Sequence, residues 1–214
     1  MKIFVTGTDT GVGKTVFCAG LVTLLDSHYW KPVQSGLLEE TDSQVVTRLG
    51  RLSPGRVLPE RYRIRTPASP HLAAEIDGIK IDSDLLELPD VPGPLVVEGA
   101  GGVLVPLTRQ ALLVDILAKW RIPTIICART GLGTINHTLL TLEALQRRDV
   151  PILGVAFVGD PHNENANIIQ IFGKVPILGR LPWMTPLSAL SLEERFSQSF
   201  SMKAIEERYR ELVG

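Results

Sequence analysis

Short runs of β-branched and other apolar residues recur along the chain at Ile3–Val5, Leu95–Val97, Thr124–Cys127 and Ile152–Val158, and stretches of helical period fall between several of them. That alternation predicts an α/β fold, a parallel β-sheet with helices on both faces. The clearest helix is Thr134 to Gln146, where Ile135, Leu139, Leu142 and Leu145 recur at steps of four and three and so share a face. A further helix is expected after Ser191, because Ser191 and Glu194 form a capping-box pattern ahead of more apolar residues. Met202 to Leu212 mixes charge with Ile205, Tyr209 and Leu212, the pattern of an amphipathic helix closing over the sheet edge. From about Gly50 to Pro94, prolines at 54, 59, 67, 70, 89, 92 and 94 break the pattern, so an excursion of turns and short helices beside the sheet is expected.

Length and composition narrow the picture. A chain of 214 residues with 44% hydrophobic content can bury a substantial core and reads as one domain, 1–214. The formal net charge of −1 offers no broad attraction to nucleic acid or anionic membrane, so any bound anion must be held locally. Cys18 and Cys127 lie far apart inside apolar segments and read as packing residues, since they form neither a disulfide framework nor a CxxC pair. The opening apolar run is too short for a signal-peptide core or a membrane span, which leads to the expectation of a cytoplasmic protein.

The strongest chemical signal is Gly7-Thr8-Asp9-Thr10-Gly11-Val12-Gly13-Lys14-Thr15, which follows an apolar strand and runs into the helical stretch Val16–Leu25. Strand, glycine-rich turn and helix is the context of a P-loop. Its glycines let successive N–H groups turn inward toward phosphate oxygens, and the helix N-terminus adds partial positive charge. Lys14 would reach the outer phosphates and the Thr15 hydroxyl would ligate Mg²⁺. Five residues rather than four separate Gly7 from Gly13, and Thr8 stands at the usual first-glycine position, so the loop is atypical. The motif by itself does not name a reaction, because switches, motors and synthetases share it.

Six segments, FVTGTDTGVGKT (4–15), KPVQSG (31–36), TPASPHLAA (66–74), VVEGAGGVLVPL (96–107), TGLGTINHTLLT (130–141) and LGRLPW (178–183), resemble the dethiobiotin synthetases in order and spacing over nearly the whole chain. The resemblance implies a P-loop NTPase-type fold, ATP as co-substrate, Mg²⁺ as cofactor, and 7,8-diaminopelargonic acid and CO2 as the other substrates. It further implies a carbamate that attacks the γ-phosphate, a carbamic-phosphoric anhydride, ring closure by the neighbouring amine, and a homodimer with a shared active site.

Carried onto this chain, the resemblance places Gly11, Val12, Gly13, Lys14, Thr15 and Val16 on the nucleotide, with Glu98, Gly99, Ala100 and Gly101, and puts Pro182 and Trp183 beside its base. Lys14 and Lys31 are the catalytic cations, and Thr15, Asp42 and Glu98 are the hard-oxygen metal ligands. Substrate would meet Thr10, Lys31, Ser35 and, from the neighbouring subunit, Gly133, Thr134, Ile135 and Asn136. Plainer readings stand beside several of these. Lys31 could be an exposed lysine, Asp42 a helix cap beside Thr41, and Gly131–Gly133 a turn that merely starts a helix. His71 reads as a hydrogen-bonded structural histidine and stays outside the catalytic set. Where the family commonly shows an asparagine–aspartate pair reading adenine, this chain has Val158-Gly159, which leaves base preference open among triphosphates. The Leu24–Lys31 connection is short and predicts a trimmed second strand.

The contrasting class is a P-loop switch of the partition or septum-placement type, which usually carries an extra lysine early in the loop. Gly7-Thr8-Asp9 has none. A cobyrinic-acid-type amidation domain is nearer, but its chemistry normally needs an attached glutaminase for which this chain has no room.

Overall fold

The computed structural model describes residues 1–214. In chain order it runs β1 (Lys2–Gly7), α1 (Lys14–Leu24), β2 (His28–Trp30), β3 (Val33–Ser35), α2 (Asp42–Gly50), β4 (Val57–Leu58) and β5 (Tyr62–Ile64). It continues with α3 (Pro70–Asp77), β6 (Leu95–Gly102), α4 (Leu113–Trp120), β7 (Thr124–Arg129), α5 (Thr134–Gln146), β8 (Ile152–Val158), α6 (Asn163–Gly173), β9 (Ile177–Leu181), α7 (Ala189–Ser199) and α8 (Met202–Val213). Seven strands form a parallel sheet in the order β4-β2-β6-β1-β7-β8-β9, and β3 pairs with β5 in a separate two-stranded parallel ribbon.

Side chains alternate between the two sides of a strand, and here both sides are apolar. Phe4, Val97, Ile126 and Phe157 join one core, while Ile3, Val5, Val96, Cys127 and Ala156 join the other. Helices α3 to α6 bury their apolar faces in the first core, and α1, α2, α7 and α8 bury theirs in the second. Phe17 of α1 is the centre of an aromatic cluster in that second core, with ring centroids 5.3 Å from Phe196 and 5.2 Å from Phe200. Cys18 and Cys127 are buried free thiols, as packing residues should be.

The chain from β1 crosses to β2 on one side, whereas the chain from β6 crosses to β7 on the other. The connections leaving the adjacent strands β1 and β6 therefore part at the carboxyl edge of the sheet, which opens the crevice where such sheets bind ligands.

The helix over Thr134–Gln146 has the expected bounds, and β2 is trimmed to three residues. Other expectations need correction. The helix after residue 188 starts earlier than the Ser191 pattern suggests, because Ser188 is the N-cap and Ser191 is its partner within a Ser188–Ser191 box. The segment 50–94 adds strands as well as turns: β4 extends the main sheet beside β2, and β5 pairs with β3. α8 is amphipathic, with Ile205 buried, but it lies against β8, inside the β9 edge, and Tyr209 Oη accepts a hydrogen bond from the Lys2 N–H. No helix is long and apolar enough to cross a membrane.

Candidate active site

The crevice is a cavity of about 750 Å³ whose walls come from five places in the chain. The P-loop supplies Thr10, Gly11, Gly13, Lys14, Thr15 and Val16, and the strand ends β2 and β3 supply Lys31 and Ser35. The start of α2 brings Asp42, while β6 brings Glu98, Ala100 and Gly101. Residues 67–70 form the facing wall.

The loop conformation follows from its glycines. Gly13 is the α1 N-cap at φ 93°, a left-handed backbone that disfavours any side chain, and an added Cβ would lie 2.9 Å from Val158. Gly7 has no room either, since its Cβ would meet Asp9 O at 2.8 Å and Lys14 Nζ at 3.1 Å. Lys14 Nζ donates to the Asp9 carbonyl at 3.1 Å, so its ammonium lies over the mouth of the loop. Burial lowers its pKa, with Glu98 and Asp42 opposing that shift. Val12 is buried, so only its backbone can serve a ligand.

Lys31 is 4% exposed, which rules out the surface-lysine reading. A lone buried ammonium is unfavourable by several kcal/mol, and two carboxylates answer it here. Lys31 Nζ pairs with Asp42 Oδ2 and with Glu98 Oε1 at 3.2 Å, and donates to Gly99 O at 3.2 Å. Burial pushes its pKa down, but Glu98 and Asp42 outweigh burial and hold it above the ordinary lysine value. Asp42 shows the reciprocal effect: burial opposes its charge, and Lys31 keeps its carboxyl below the usual range.

Asp42 is not a helix cap. Thr41 is the N-cap of α2, in a box closed by Gln44, which leaves the Asp42 carboxylate free to face the cavity. β6 does not end at Val97 but runs through to Gly102, so Glu98 lies within the strand and is almost wholly buried. Thr15 Oγ1 stands 2.9 Å from Asp42 Oδ1 and 2.9 Å from Glu98 Oε1. Two carboxylates and a hydroxyl converging on one point are hard oxygen donors, with the Thr15 hydroxyl standing in for a third charged ligand, since no group of three His, Cys, Asp or Glu side chains forms here or elsewhere. Such a set suits a Mg²⁺ that takes its remaining ligands from phosphate oxygens and water.

Ser35 lines the cavity, and its Oγ is shut off from solvent and has no hydrogen-bond partner within the chain. Other expected residues lie off this cavity. Gly99 contributes only its carbonyl, through Lys31. Gly133, Thr134, Ile135 and Asn136 start α5 away from it, with Gly133 and Asn136 exposed, Ile135 half-buried and Thr134 buried; Gly133 is a left-handed N-cap and no side chain caps the helix. Pro182 and Trp183 follow β9 outside the cavity lining, where a Cβ on Gly159 would sit 3.6 Å from Trp183 Nε1. His71 bonds Ser69 Oγ at 3.1 Å and borders a separate surface cleft with Glu75 and Arg109, consistent with a structural role.

Three supporting residues escape the motif reading. Arg129, ending β7, donates to Thr10 O at 3.0 Å and braces the P-loop from outside. Gln34 Oε1 accepts the Asp42 N–H at 3.2 Å. Tyr29 Oη donates to Glu98 Oε2 at 2.8 Å. A basic residue at a strand's carboxyl end was a usable signal for Arg129. Tyr29, between His28 and Trp30, belongs to no motif and gave none.

A parallel sheet with a P-loop where the connections of β1 and β6 part defines the class: this is a P-loop nucleoside-triphosphatase fold. Residues 1–191 match a family model described as an AAA domain. Among solved structures, a ParA family ATPase from Chlorobium tepidum TLS superposes with a TM-score of 0.56 at 13% identity, covering 96% of each chain. The cell division ATPase MinD of Pyrococcus furiosus gives 0.57 at 11% identity, covering 99% of each chain. At such identities the likeness concerns the fold alone.

The sequence comparisons carry the assignment further. An ATP-dependent dethiobiotin synthetase of Rhodopseudomonas palustris strain HaA2 is 59% identical over 199 residues, covering 93% of both chains. Enzymes of the same name from Nitrobacter hamburgensis and Agrobacterium fabrum are 57% and 56% identical, each over 94% of this chain and 95% of theirs. The chain belongs to the ATP-dependent dethiobiotin synthetase family, enzymes of the ligase type.

Proposed function

We propose that this enzyme forms dethiobiotin from 7,8-diaminopelargonic acid, CO2 and ATP, in the cytoplasm, within the single domain 1–214. The observation that carries the reading is the meeting of Lys14, Lys31, Asp42, Glu98 and Thr15 in one crevice. A carbamate and a triphosphate are both anions, so bringing them together requires cations aimed at their shared oxygens. Bound among Thr15, Asp42 and Glu98, Mg²⁺ would supply the charge that neutralises the phosphate oxygens.

One amine of the substrate attacks CO2 to give the carbamate, losing a proton. A carbamate oxygen then attacks the γ-phosphorus as ADP leaves, and the second amine closes on the carbonyl carbon as phosphate departs with that oxygen. The inward N–H groups of Gly11–Val16 and the Lys14 ammonium hold the phosphates. Lys31 spans carbamate and γ-phosphate, and Thr10, Ser35 and the backbone at Ala100 and Gly101 donate around them. The base lies toward Pro182 and Trp183, where Val158 offers no hydrogen-bonding group, so discrimination among nucleoside triphosphates is weak.

The distal carboxylate is taken by Gly133–Asn136 of a second copy in a homodimer. Support comes from the uncapped first turn of α5, whose Ile135 and Asn136 N–H groups have no intrahelical partner, and from the fully exposed Leu132 beside it. Oxygen tracing tests the chemistry: with ¹⁸O-bicarbonate, one labelled oxygen should appear in the released phosphate. Unlabelled phosphate alongside labelled dethiobiotin would exclude the anhydride.

A further inference from the structure

Tyr29 has no part in the chemistry above, yet its hydroxyl closes the coordination of Glu98. In the β2–β6 register Tyr29 stands opposite Val96, which shares a strand face with Glu98 two residues on. The ring therefore packs within the second core, and its Oη reaches the carboxylate. The two oxygens of Glu98 are thus divided. Oε2 accepts from Tyr29 at 2.8 Å, while Oε1 faces Thr15 Oγ1 at 2.9 Å and Lys31 Nζ at 3.2 Å.

Phenylalanine would fill the same apolar space, so packing does not explain the hydroxyl. What tyrosine adds is a donor fixed by a wholly buried ring. Without it, Oε2 would lose its only oxygen donor and be left with the weakly donating thiol of buried Cys18 close by, and the carboxylate would be freer to rotate about its last torsion. Burial, reinforced by the Glu98 charge, raises the Tyr29 pKa well above its ordinary value, so the hydroxyl keeps its proton.

We propose that Tyr29 is a positioning residue for the metal centre: by engaging Glu98 Oε2 it presents Oε1 alone to the nucleotide-bound Mg²⁺. The proposal rests on the reading of Thr15, Asp42 and Glu98 as metal ligands.

The test is Mn²⁺ binding in the presence of ADP, read from the electron paramagnetic resonance of free Mn²⁺. Tyr29→Phe should raise the Mn²⁺ dissociation constant by about ten- to a hundredfold, the usual effect of removing an outer partner of a metal ligand. ADP affinity in EDTA should stay unchanged, and in a Glu98→Gln background Tyr29→Phe should add no further loss. An unchanged Mn²⁺ affinity, an equal additional loss in the Glu98→Gln background, or a parallel loss of ADP affinity in EDTA would each overturn the assignment. Wild-type protein that binds ADP but no Mn²⁺, or whose Mn²⁺ affinity ignores Glu98→Gln, would overturn the metal reading itself and Tyr29 with it. A measurement on the native fold stands apart from any variant. The chain has three tyrosines. After 3-fluorotyrosine labelling, adding Mg²⁺ to the ADP complex should move the Tyr29 fluorine resonance and leave that of Tyr209 in place, and a stationary Tyr29 signal would count against the proposal.

Discussion

Replacing Lys31 by alanine removes the one ammonium that touches both Asp42 and Glu98. Turnover should fall by about two to three orders of magnitude, the loss typical of one group stabilising transition-state charge, while circular dichroism reports an intact fold. Near-normal turnover would remove Lys31 from the mechanism. The same variant leaves two carboxylates facing each other without their cation, so its unfolding midpoint in metal-free buffer should drop, and added Mg²⁺ should restore part of the loss. Most of this centre was readable from the sequence because its residues sit in motifs: Lys14 and Thr15 in a glycine turn, Lys31 and Glu98 at the ends of apolar runs. Asp42 was ambiguous, since a capping aspartate and a metal ligand look alike until Thr41 is seen to take the cap. Tyr29 and Gln34 were illegible, because their roles depend on contacts across strands and segments that no local pattern encodes.

Elements hold the site through close packing that tolerates little change. Gly20, in the middle of α1, lies under the Phe196 ring, where an added Cβ would come within 2.1 Å of the ring carbon Cδ2. Alanine would gain about 1 kcal/mol of helix propensity. Overpacking costs about 1–3 kcal/mol, and Phe17 and Phe200 behind the ring leave it nowhere to retreat. Gly20→Ala should therefore lower the thermal midpoint by a few degrees, and a rise would show that the cluster can repack. On the other face, the Asp77 carboxylate accepts from the Arg65 and Thr66 N–H groups and from Thr66 Oγ1, tying the end of α3 to the segment that leads into residues 67–70 of the cavity wall. The Thr66 hydroxyl holds this carboxyl below its usual pKa. A depressed carboxylate adds stability above its unfolded value and loses it as pH falls through the folded one. Asp77→Asn should thus unfold earlier than wild type at neutral pH, with the gap closing on acidification, and a gap that persists in acid would assign the effect to something other than charge. Strands β1, β6, β7 and β8 were legible from their apolar runs and the long helix α5 from its period, whereas β3 and β9 carried no comparable run and β4 and β5 were hidden by the prolines around them and by their two- and three-residue lengths.

At the scale of the whole molecule, the sheet order places the P-loop and Glu98 on neighbouring strands whose connections depart in opposite directions, and the crevice between them follows from that topology. Spacing along the chain predicted a parallel sheet but not the order of its strands, because order is set by which apolar faces meet in three dimensions. A dimer that lends Gly133–Asn136 to its neighbour should sediment at twice the mass of this 23.4 kDa chain. Mixing an Asn136→Asp variant with a Lys31→Ala variant should then restore turnover in the hybrid, since one intact composite site re-forms, whereas no recovery would place the substrate carboxylate elsewhere. The most direct test of the central claim is product analysis. Purified protein is incubated with diaminopelargonate, bicarbonate, Mg²⁺ and ATP, and dethiobiotin is followed by mass beside ADP. Equal amounts of dethiobiotin and ADP, formed only when the diamine is present, are the expected result, and ATP hydrolysis indifferent to the diamine with no cyclic product would contradict it.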